Sequence, residues 1–226
     1  MLQAEHVSLC YHSGNSENYA LDDVSLMVEQ GEFVVLRGPS GSGKSSMLYI
    51  LSGLRPATRG HIRFGEHAYG TTSIDALTKL RRTHFGFIFQ FHFLINYLTV
   101  LENVMVAAPA QTGAYRLQAL RLLEALGIGS QVNRFPHQIS GGQRQRVAVA
   151  RALIHDPQII FADEPTASLN TEAGLGVMRL LAEHRGERTV VMVTHDDAMS
   201  RFANRAVELR DGHMVSDGPN SLYTAA

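Results

Sequence analysis

A glycine-rich segment constrains the fold of this chain more than any other feature: Gly38-Pro39-Ser40-Gly41-Ser42-Gly43-Lys44-Ser45. Residues 33–36 before it form an apolar run that predicts a buried strand, and residues 46–51 after it are apolar at helical spacing. A strand, a glycine loop and a helix in this order form a phosphate-binding loop, because backbone N–H groups converge on phosphate oxygens at the positive end of the helix. A glycine turn that merely caps a helix would need neither the lysine nor the serine. The segment therefore predicts an α/β fold that binds a nucleotide.

The residue types in this loop predict ATP and Mg²⁺ as its ligands. Lys44 provides a mobile cation for the β- and γ-phosphates, and the Ser45 hydroxyl suits Mg²⁺, which prefers oxygen ligands. Glycines let the backbone take conformations closed to other residues, so that successive N–H groups can reach the phosphates. Kinases, GTPases and motor ATPases share such a loop, so the class of enzyme depends on further motifs. The predicted nucleotide-binding residues here are Gly38, Pro39, Ser40, Gly41, Ser42, Gly43, Lys44, Ser45 and Ser46.

A second apolar run, residues 159–162, predicts a strand that ends in two adjacent carboxylates, Asp163 and Glu164. At the end of a strand, Asp163 can hold the Mg²⁺ shell, and Glu164 can polarise the water that attacks the γ-phosphorus. Adjacent acids after a strand also occur as a solvated turn. The following Pro165-Thr166 and the glycine loop upstream favour the catalytic interpretation.

A third motif, Ile139-Ser140-Gly141-Gly142-Gln143, distinguishes between these enzyme classes. With it, the chain from Ala4 to about Gly218 resembles the nucleotide-binding subunit of an ABC (ATP-binding cassette) transporter, with every motif in the family's order. The family's signature loop reads L-S-G-G-Q, and isoleucine for leucine is a volume-conserving change. The resemblance implies that this loop closes over the γ-phosphate held by a second copy, so that a homodimer sandwiches two ATP molecules. The implied contacts are Ser140, Gly141, Gly142 and Gln143.

The same resemblance implies the remaining catalytic residues and metal ligands. Gln90 corresponds to the Q-loop glutamine, which senses Mg²⁺ and the attacking water, and His195 corresponds to the switch histidine, which contacts the γ-phosphate. The implied catalytic set is Glu164, His195 and Gln90. The implied metal ligands are Ser45, Gln90 and Asp163.

Two further positions bear on the adenine and on the dimer. Tyr11 corresponds to the aromatic residue on which the family stacks adenine, and Tyr19, in a predicted long loop over residues 13–19, is a second candidate. Asn170 stands where the family's D-loop usually has aspartate. In the family that position lies at the dimer seam, so the lost charge leaves the role of Asn170 open.

The resemblance implies one ABC nucleotide-binding domain over residues 1–226. It would consist of a P-loop RecA-like α/β core with an antiparallel β subdomain, at about 1–89 and 157–226, and a helical subdomain inserted at about 90–156. Short strands are predicted within residues 2–36 and 60–67, a helix over 145–153, and a hairpin over 207–215 with an Asp-Gly turn. Apolar residues at 117, 120, 122, 123 and 126 predict a helix with one broad apolar face. No regulatory domain is expected after the hairpin.

Composition limits the partners and the compartment. Twenty basic and 21 acidic side chains, with no block of lysine and arginine, argue against a nucleic-acid partner. A single cysteine, Cys10, excludes an internal disulfide and fits a reducing compartment. No apolar run approaches the ~20 residues that cross a bilayer. We therefore expect a cytoplasmic chain that lies on the inner face of the membrane through an integral membrane permease subunit on a separate chain.

The finer resemblance is to ATPases of the lipoprotein-release, macrolide-export and cell-division type, through residues 80–90 and 98–104. It implies an ATPase subunit that drives a membrane complex by export or by transmitting motion. One alternative is a soluble ABC ATPase of DNA repair or translation, but those relatives carry coiled-coil insertions or a second cassette. Another is a small-molecule kinase, which would need an acceptor pocket and a lid and would have no use for the signature loop.

Residues 91–97, just after Gln90, are rich in aromatic and apolar side chains. In the family this region faces the membrane subunit, although these side chains could also pack inside the helical subdomain. Exposed aromatic residues in a groove commonly anchor a partner helix. We therefore expect Phe93 or Tyr97 to receive the coupling helix of the membrane subunit.

Overall fold

The computed structural model describes residues 1–13, 16–183 and 188–224. The strands of the described part are β1 (Leu2–Ser13), β2 (Ser16–Val28), β3 (Phe33–Arg37), β4 (Arg59–Phe64), β5 (His67–Ala68), β6 (Phe85–Ile88), β7 (Ile159–Asp163), β8 (Thr189–Val193), β9 (Arg205–Arg210) and β10 (His213–Pro219). The α-helices are α1 (Lys44–Leu51), α2 (Ile74–His84), α3 (Val100–Met105), α4 (Gly113–Ala125), α5 (Gly141–Leu153), α6 (Thr171–Ala182) and α7 (Asp197–Ser200).

One sheet is antiparallel, with the strand order β2-β1-β4-β5. The prediction of short strands was wrong for β1 and β2, which are 12 and 13 residues long. The predicted long loop over residues 13–19 was also wrong, because Tyr11 pairs with Asn18 and Ser13 pairs with Ser16, while residues 14 and 15 lie outside the described residues. Backbone hydrogen bonds extend the hairpin through a polar stretch in which no apolar alternation marks a strand.

The second sheet has the order β10-β9-β3-β8-β7-β6. Its strands are parallel from β9 to β6, and β10 pairs antiparallel with β9. The predicted hairpin near the end of the chain is confirmed: Asp211 and Gly212 both have positive φ, at 50° and 81°. Two successive residues with positive φ match the twist of a tight two-residue hairpin turn.

Residues of the parallel sheet alternate between two apolar clusters. Phe33 and Val35 of β3 face a cluster that includes residues of α3, α4, α5 and α6. Val34 and Leu36 face the opposite cluster, which includes α1 and the antiparallel sheet. Helix α1 is thus packed between the two sheets, and four of its eight residues are buried. Burial of this helix fixes the position of the glycine loop that precedes it.

The segment between β6 and β7 is helical, as predicted. The bounds of a helical subdomain at residues 90 and 156 stay a prediction. Helix α5 begins at Gly141 rather than at the predicted residue 145, because Ser140 forms a capping box with Gln143. The same helix packs on β6 so closely that a Cβ atom at Gly86 would lie 2.5 Å from the Ala152 carbonyl oxygen. The predicted apolar face of α4 is wrong at Leu117, which is exposed.

Among the described residues, no helix has the length and the apolar content needed to span a membrane.

Candidate functional site

The parallel sheet brings the predicted motifs to one edge. The glycine loop follows β3, His195 follows β8, Glu164 follows β7 and Gln90 follows β6. These four strands are adjacent and parallel, so their carboxyl ends lie side by side. Ligands of open α/β sheets bind at this edge.

Two glycines of the loop are required by their surroundings. Gly38 has a φ of 137°, and a Cβ atom there would lie 2.0 Å from the Leu209 carbonyl oxygen. Gly43, the residue before α1, has a φ of 99°, and its Cβ atom would lie 2.3 Å from the Ala20 carbonyl oxygen. A side chain at either position would collide with backbone and would also be strained. The loop conformation therefore depends on glycine at both places.

The polar groups of the loop fit an anionic ligand. The Lys44 ammonium group donates hydrogen bonds to the carbonyl oxygens of Gly38, at 2.9 Å, and Pro39, at 2.7 Å, so the cation lies over the loop. The Ser42 hydroxyl is buried and has no hydrogen-bond partner among the described residues. Buried polar atoms in proteins are nearly always hydrogen-bonded. A phosphate group would satisfy both the orphaned hydroxyl and the positive charge.

Oxygen ligands suited to Mg²⁺ lie beside the loop. Asp163 ends β7 and is buried, and Ser45 Oγ donates to Asp163 Oδ1 at 3.1 Å. In the described part of the chain, no group of three or more His, Cys, Asp or Glu side chains could hold a metal by itself. One carboxylate and one hydroxyl suit Mg²⁺, which commonly takes its other ligands from substrate phosphates and water.

Sequence reasoning missed Tyr49, which completes the surroundings of Asp163. The Tyr49 hydroxyl donates to Asp163 Oδ2 at 2.9 Å. Burial, and then the Asp163 carboxylate, raise the pKa of Tyr49 to about 12, so the hydroxyl keeps its proton at neutral pH. Tyr49 lies four residues after Ser45 on α1, and residues at that spacing share a helix face. That spacing is the signal that could have identified it.

Glu164 and His195 form a pair that the separate motifs did not predict. His195 Nδ1 lies 2.9 Å from Glu164 Oε1. The side chain of Glu164 is 14% exposed and that of His195 is 79% exposed, so the histidine covers the carboxylate from the solvent side. The hydrogen bond and the negative charge of Glu164 raise the pKa of His195, whereas the positive charge of Lys44 opposes this shift. The pair and Lys44 therefore belong to one electrostatic site.

Gln90 is exposed and follows β6 by two residues. Ile88 pairs with Ala162, which places Gln90 next to Glu164 along the sheet edge. Among the described residues, Ser45 and Tyr49 are the hydrogen-bond partners of the Asp163 carboxylate, and Gln90 is not. The contact of Gln90 with Mg²⁺ stays a prediction.

The two tyrosine candidates for adenine lie on opposite faces of the β1–β2 hairpin, because Tyr19 is opposite Cys10 and Tyr11 is opposite Asn18. The Arg55 guanidinium lies 4.4 Å from the centre of the Tyr11 ring. The Tyr19 hydroxyl instead donates to Glu17 Oε2 at 3.1 Å.

The signature residues form their own hydrogen bonds at the start of α5. Ser140 Oγ accepts from the Gln143 backbone N–H at 3.2 Å, and Gln143 Oε1 accepts from the Ser140 N–H at 2.8 Å. Gly142 packs near the D-loop, where its Cβ atom would lie 3.0 Å from the Ser168 carbonyl oxygen. Across the described residues, no hydrogen bond joins 140–143 to 38–46. The signature residues therefore bond among themselves at the start of α5 and not with the glycine loop of the same copy.

Asn170 begins α6 as its N-cap residue. Its side-chain oxygen accepts a hydrogen bond from the Ala173 backbone N–H at 2.9 Å. Asparagine and aspartate are similarly good N-caps. The departure from the family's aspartate therefore preserves the helix cap and removes only the charge.

Comparison with known proteins identifies the family. The family model described as ABC transporter matches residues 21–167. An uncharacterized ABC transporter ATP-binding protein of Methanocaldococcus jannaschii is 42% identical over 220 residues, which cover 95% of this chain and 98% of that protein. The macrolide export ATP-binding/permease protein MacB of Bradyrhizobium diazoefficiens is 43% identical over 221 residues, which cover 96% of this chain. The chain spans only 34% of the length of that MacB protein.

Solved structures agree with the sequence relatives. The ATP-binding cassette MJ0796, solved as a dimer in a post-hydrolysis state bound to ADP and Pi, matches with a TM-score of 0.92 and 40% sequence identity. The match covers 97% of this chain and 98% of that cassette.

These similarities confirm the predicted family and fold class, and they favour a transporter ATPase over a soluble ABC ATPase of the DNA repair or translation type. They also favour hydrolysis over the transfer of phosphate to a small molecule. The chain belongs to the ABC transporter family and is an ATP-binding subunit that hydrolyses ATP.

Proposed function

We propose that the chain works as a homodimer, with two ATP molecules between the copies, on the cytoplasmic side of a membrane complex. The observation that carries this proposal is the position of the signature residues: Ser140 and Gln143 open α5, Ser140 is exposed, and within the described residues their side chains bond to each other's backbone rather than to their own glycine loop. A second copy could bring its signature residues to the γ-phosphate. The dimeric state of the similar cassette supports this arrangement.

The site residues then have distinct tasks. Residues 38–46 bind the phosphates through backbone N–H groups and Lys44, and Tyr11 stacks on adenine with its ring supported by Arg55. Ser45, Gln90 and Asp163 would hold Mg²⁺, for which the first and last offer adjacent oxygen atoms. Bound Mg²⁺ neutralises charge that develops on the phosphate oxygens.

Glu164 accepts a proton from the water whose oxygen attacks the γ-phosphorus, while the bond from that phosphorus to the oxygen of the β-phosphate breaks and ADP leaves. His195 holds the Glu164 carboxylate in place and reaches the γ-phosphate from the exposed side. The second copy supplies Ser140, Gly141, Gly142 and Gln143. Hydrolysis would thus require both copies.

We further propose that a permease subunit on a separate chain docks into an aromatic groove beside Gln90. The groove has a volume of about 510 Å³ and an apolar floor that includes Phe87, Phe89 and Phe93. Its lining also includes three arginines, Arg81, Arg82 and Arg151, whose positive charge favours a partner helix that carries carboxylates beside its apolar face. The MacB relatives combine a cassette and a permease in one protein, which supports a membrane partner.

Phe93 is better placed than Tyr97 to receive this helix. Both side chains are exposed, at 66% and 80%, but only Phe93 lines the groove. The Phe93 ring contacts Phe89 edge-on at 5.4 Å, and Arg151 donates to the Phe93 carbonyl oxygen at 2.7 Å. The groove is therefore fixed by side chains on both sides of Gln90.

Substitution of Phe93 tests the docking site. Phe93→Ser removes an exposed aromatic anchor, so we expect the melting temperature to change little and the amount of subunit recovered with its permease to fall about tenfold or more, as for a binding hot spot. Ile74→Ser is the matched control, because Ile74 is an exposed apolar residue outside the groove. Equal recovery of both variants with the permease would rule out this groove as the docking site.

A further inference from the structure

Asp163 is held from two sides by hydroxyl groups of a single helix. Ser45 donates to Oδ1 at 3.1 Å, and Tyr49, one turn further along α1, donates to Oδ2 at 2.9 Å. Each carboxylate oxygen thus has its own donor. Because two fixed donors define the plane of a carboxylate, the pair determines the rotation of the Asp163 side chain.

The two hydroxyls are not equivalent once a metal binds. A serine hydroxyl that offers its oxygen lone pair to Mg²⁺ still has a proton to donate, but its oxygen must then follow the metal. The Tyr49 hydroxyl has no such second task. It is therefore the donor that can keep Asp163 in one orientation while the Ser45 side of the site adjusts.

The aromatic ring of Tyr49 lies near residues outside the proposed Mg²⁺ site. Its ring lies 6.4 Å from that of Phe89, the residue before Gln90, and it lines an open groove of about 560 Å³ with Leu54, Arg55, Phe89 and Phe93. Phe89 and Phe93 also line the aromatic groove. The Tyr49 side chain therefore contacts the carboxylate through its hydroxyl and lies near Phe89 through its ring.

We propose that Tyr49 is a positioning residue that orients Asp163 toward Mg²⁺. The proposal rests on the proposed Mg²⁺ site of Ser45 and Asp163. Without the hydroxyl, Oδ2 becomes a buried carboxylate oxygen without its donor, and the carboxylate is free to turn away from the metal position.

The test is Tyr49→Phe, which keeps the ring and its contact with Phe89. Binding of a fluorescent ADP analogue is titrated with Mg²⁺ and is repeated in EDTA. We expect Tyr49→Phe to need about tenfold more free Mg²⁺ for half of the Mg²⁺-dependent gain in affinity, the order expected of one hydrogen bond to a charged group. Binding in EDTA should match that of the parent, because the glycine loop does not involve Tyr49.

Tyr69→Phe is the matched control. The Tyr69 hydroxyl donates to the Leu51 carbonyl oxygen at 3.0 Å, so this variant also removes a tyrosine hydrogen bond to α1, without a contact to Asp163. An equal shift in Mg²⁺ dependence for both variants would reduce the role of Tyr49 to general support of the helix and overturn the proposal.

Two further outcomes distinguish a failure of the role of Tyr49 from a failure of the proposed Mg²⁺ site. If the parent depends on Mg²⁺ and Tyr49→Phe has the same dependence, the positioning role of Tyr49 is wrong and the Mg²⁺ site stands. If binding by the parent itself is independent of Mg²⁺, the proposed Mg²⁺ site fails and the role of Tyr49 fails with it.

Discussion

At the scale of single residues, Glu164 occupies a backbone conformation that most side chains avoid. Its φ is 49°, in the left-handed region, which costs about 1–3 kcal/mol for a residue other than glycine. Its N–H donates to the Val193 carbonyl oxygen at 2.9 Å, and its carboxylate is bound to His195. The strained residue is thus held by one contact with the last residue of β8, Val193, and one with His195, two residues further on. This holds the carboxylate at the sheet edge before substrate arrives.

The pairing of Glu164 with His195 predicts a titration. The hydrogen bond and charge of Glu164 raise the pKa of His195, so Glu164→Gln should lower that pKa toward the ordinary value. Proton NMR of the histidine ring as a function of pH measures this. His84 is the control, because burial rather than Glu164 lowers its pKa, and its titration should not change. An unchanged His195 titration in Glu164→Gln would mean that the pair does not exist in solution.

The sign of the associated stability effect follows from the same shift. A raised pKa in the folded state means that the pair stabilises the fold below the unfolded-state pKa of histidine, about 6.5. This stabilisation disappears as the pH rises through the higher folded-state pKa. Because His195 is mostly exposed, solvent screening keeps the contribution small.

At the scale of elements, the N-terminus of α6 depends on Asn170. Asn170→Ala removes the side-chain acceptor for the Ala173 N–H and should cost about 1 kcal/mol of unfolding free energy, whereas Asn170→Asp should cost nothing measurable. Urea unfolding of both variants measures the difference. Ser73→Ala, at the N-cap of α2, provides a comparison of the same kind. A loss of stability in Asn170→Asp equal to that in Asn170→Ala would show that the cap is not what the residue contributes.

Elements with a local signal were predictable from the sequence. The strand before Gly38 follows from its apolar run, and the turn at Asp211-Gly212 follows from its turn residues. Helix α5 was predicted, but its start was placed at residue 145 because the capping pair of Ser140 and Gln143 was not used. The full length of the β1–β2 hairpin was not predictable, because its pairing from Tyr11 to Ser16 rests on backbone hydrogen bonds.

In the candidate site, too, single residues were predictable from the sequence and the contacts between distant residues were not. Lys44 and Asp163 were predicted from local motifs, the glycine loop and the strand that ends in two carboxylates, whereas His195 was predicted from the resemblance to the family's switch histidine. The contacts of Tyr49 with Asp163 and of His195 with Glu164 join residues 114 and 31 positions apart. Such contacts depend on the order of strands in the sheet, which no single motif encodes.

At the scale of the whole molecule, the parallel sheet collects the glycine loop, Glu164 and His195 at one edge, while the signature residues stand at the start of α5. Under the proposed function, one copy binds a nucleotide at the sheet edge, and its signature residues serve the nucleotide of a second copy. We propose that hydrolysis takes place between two copies, with Glu164 as the base. The dimer should then form only when ATP is bound and should dissociate after hydrolysis.

Sedimentation velocity of Glu164→Gln, with and without the second substitution Ser140→Arg, tests this claim most directly. Loss of the base should slow hydrolysis by about 10²–10⁴-fold, so that Glu164→Gln accumulates as a dimer with ATP and Mg²⁺ and stays monomeric without ATP. Ser140→Arg places bulk and charge at the seam, so the double variant should bind ATP and remain monomeric. A monomeric Glu164→Gln with ATP, or an equally dimeric double variant, would contradict the shared site.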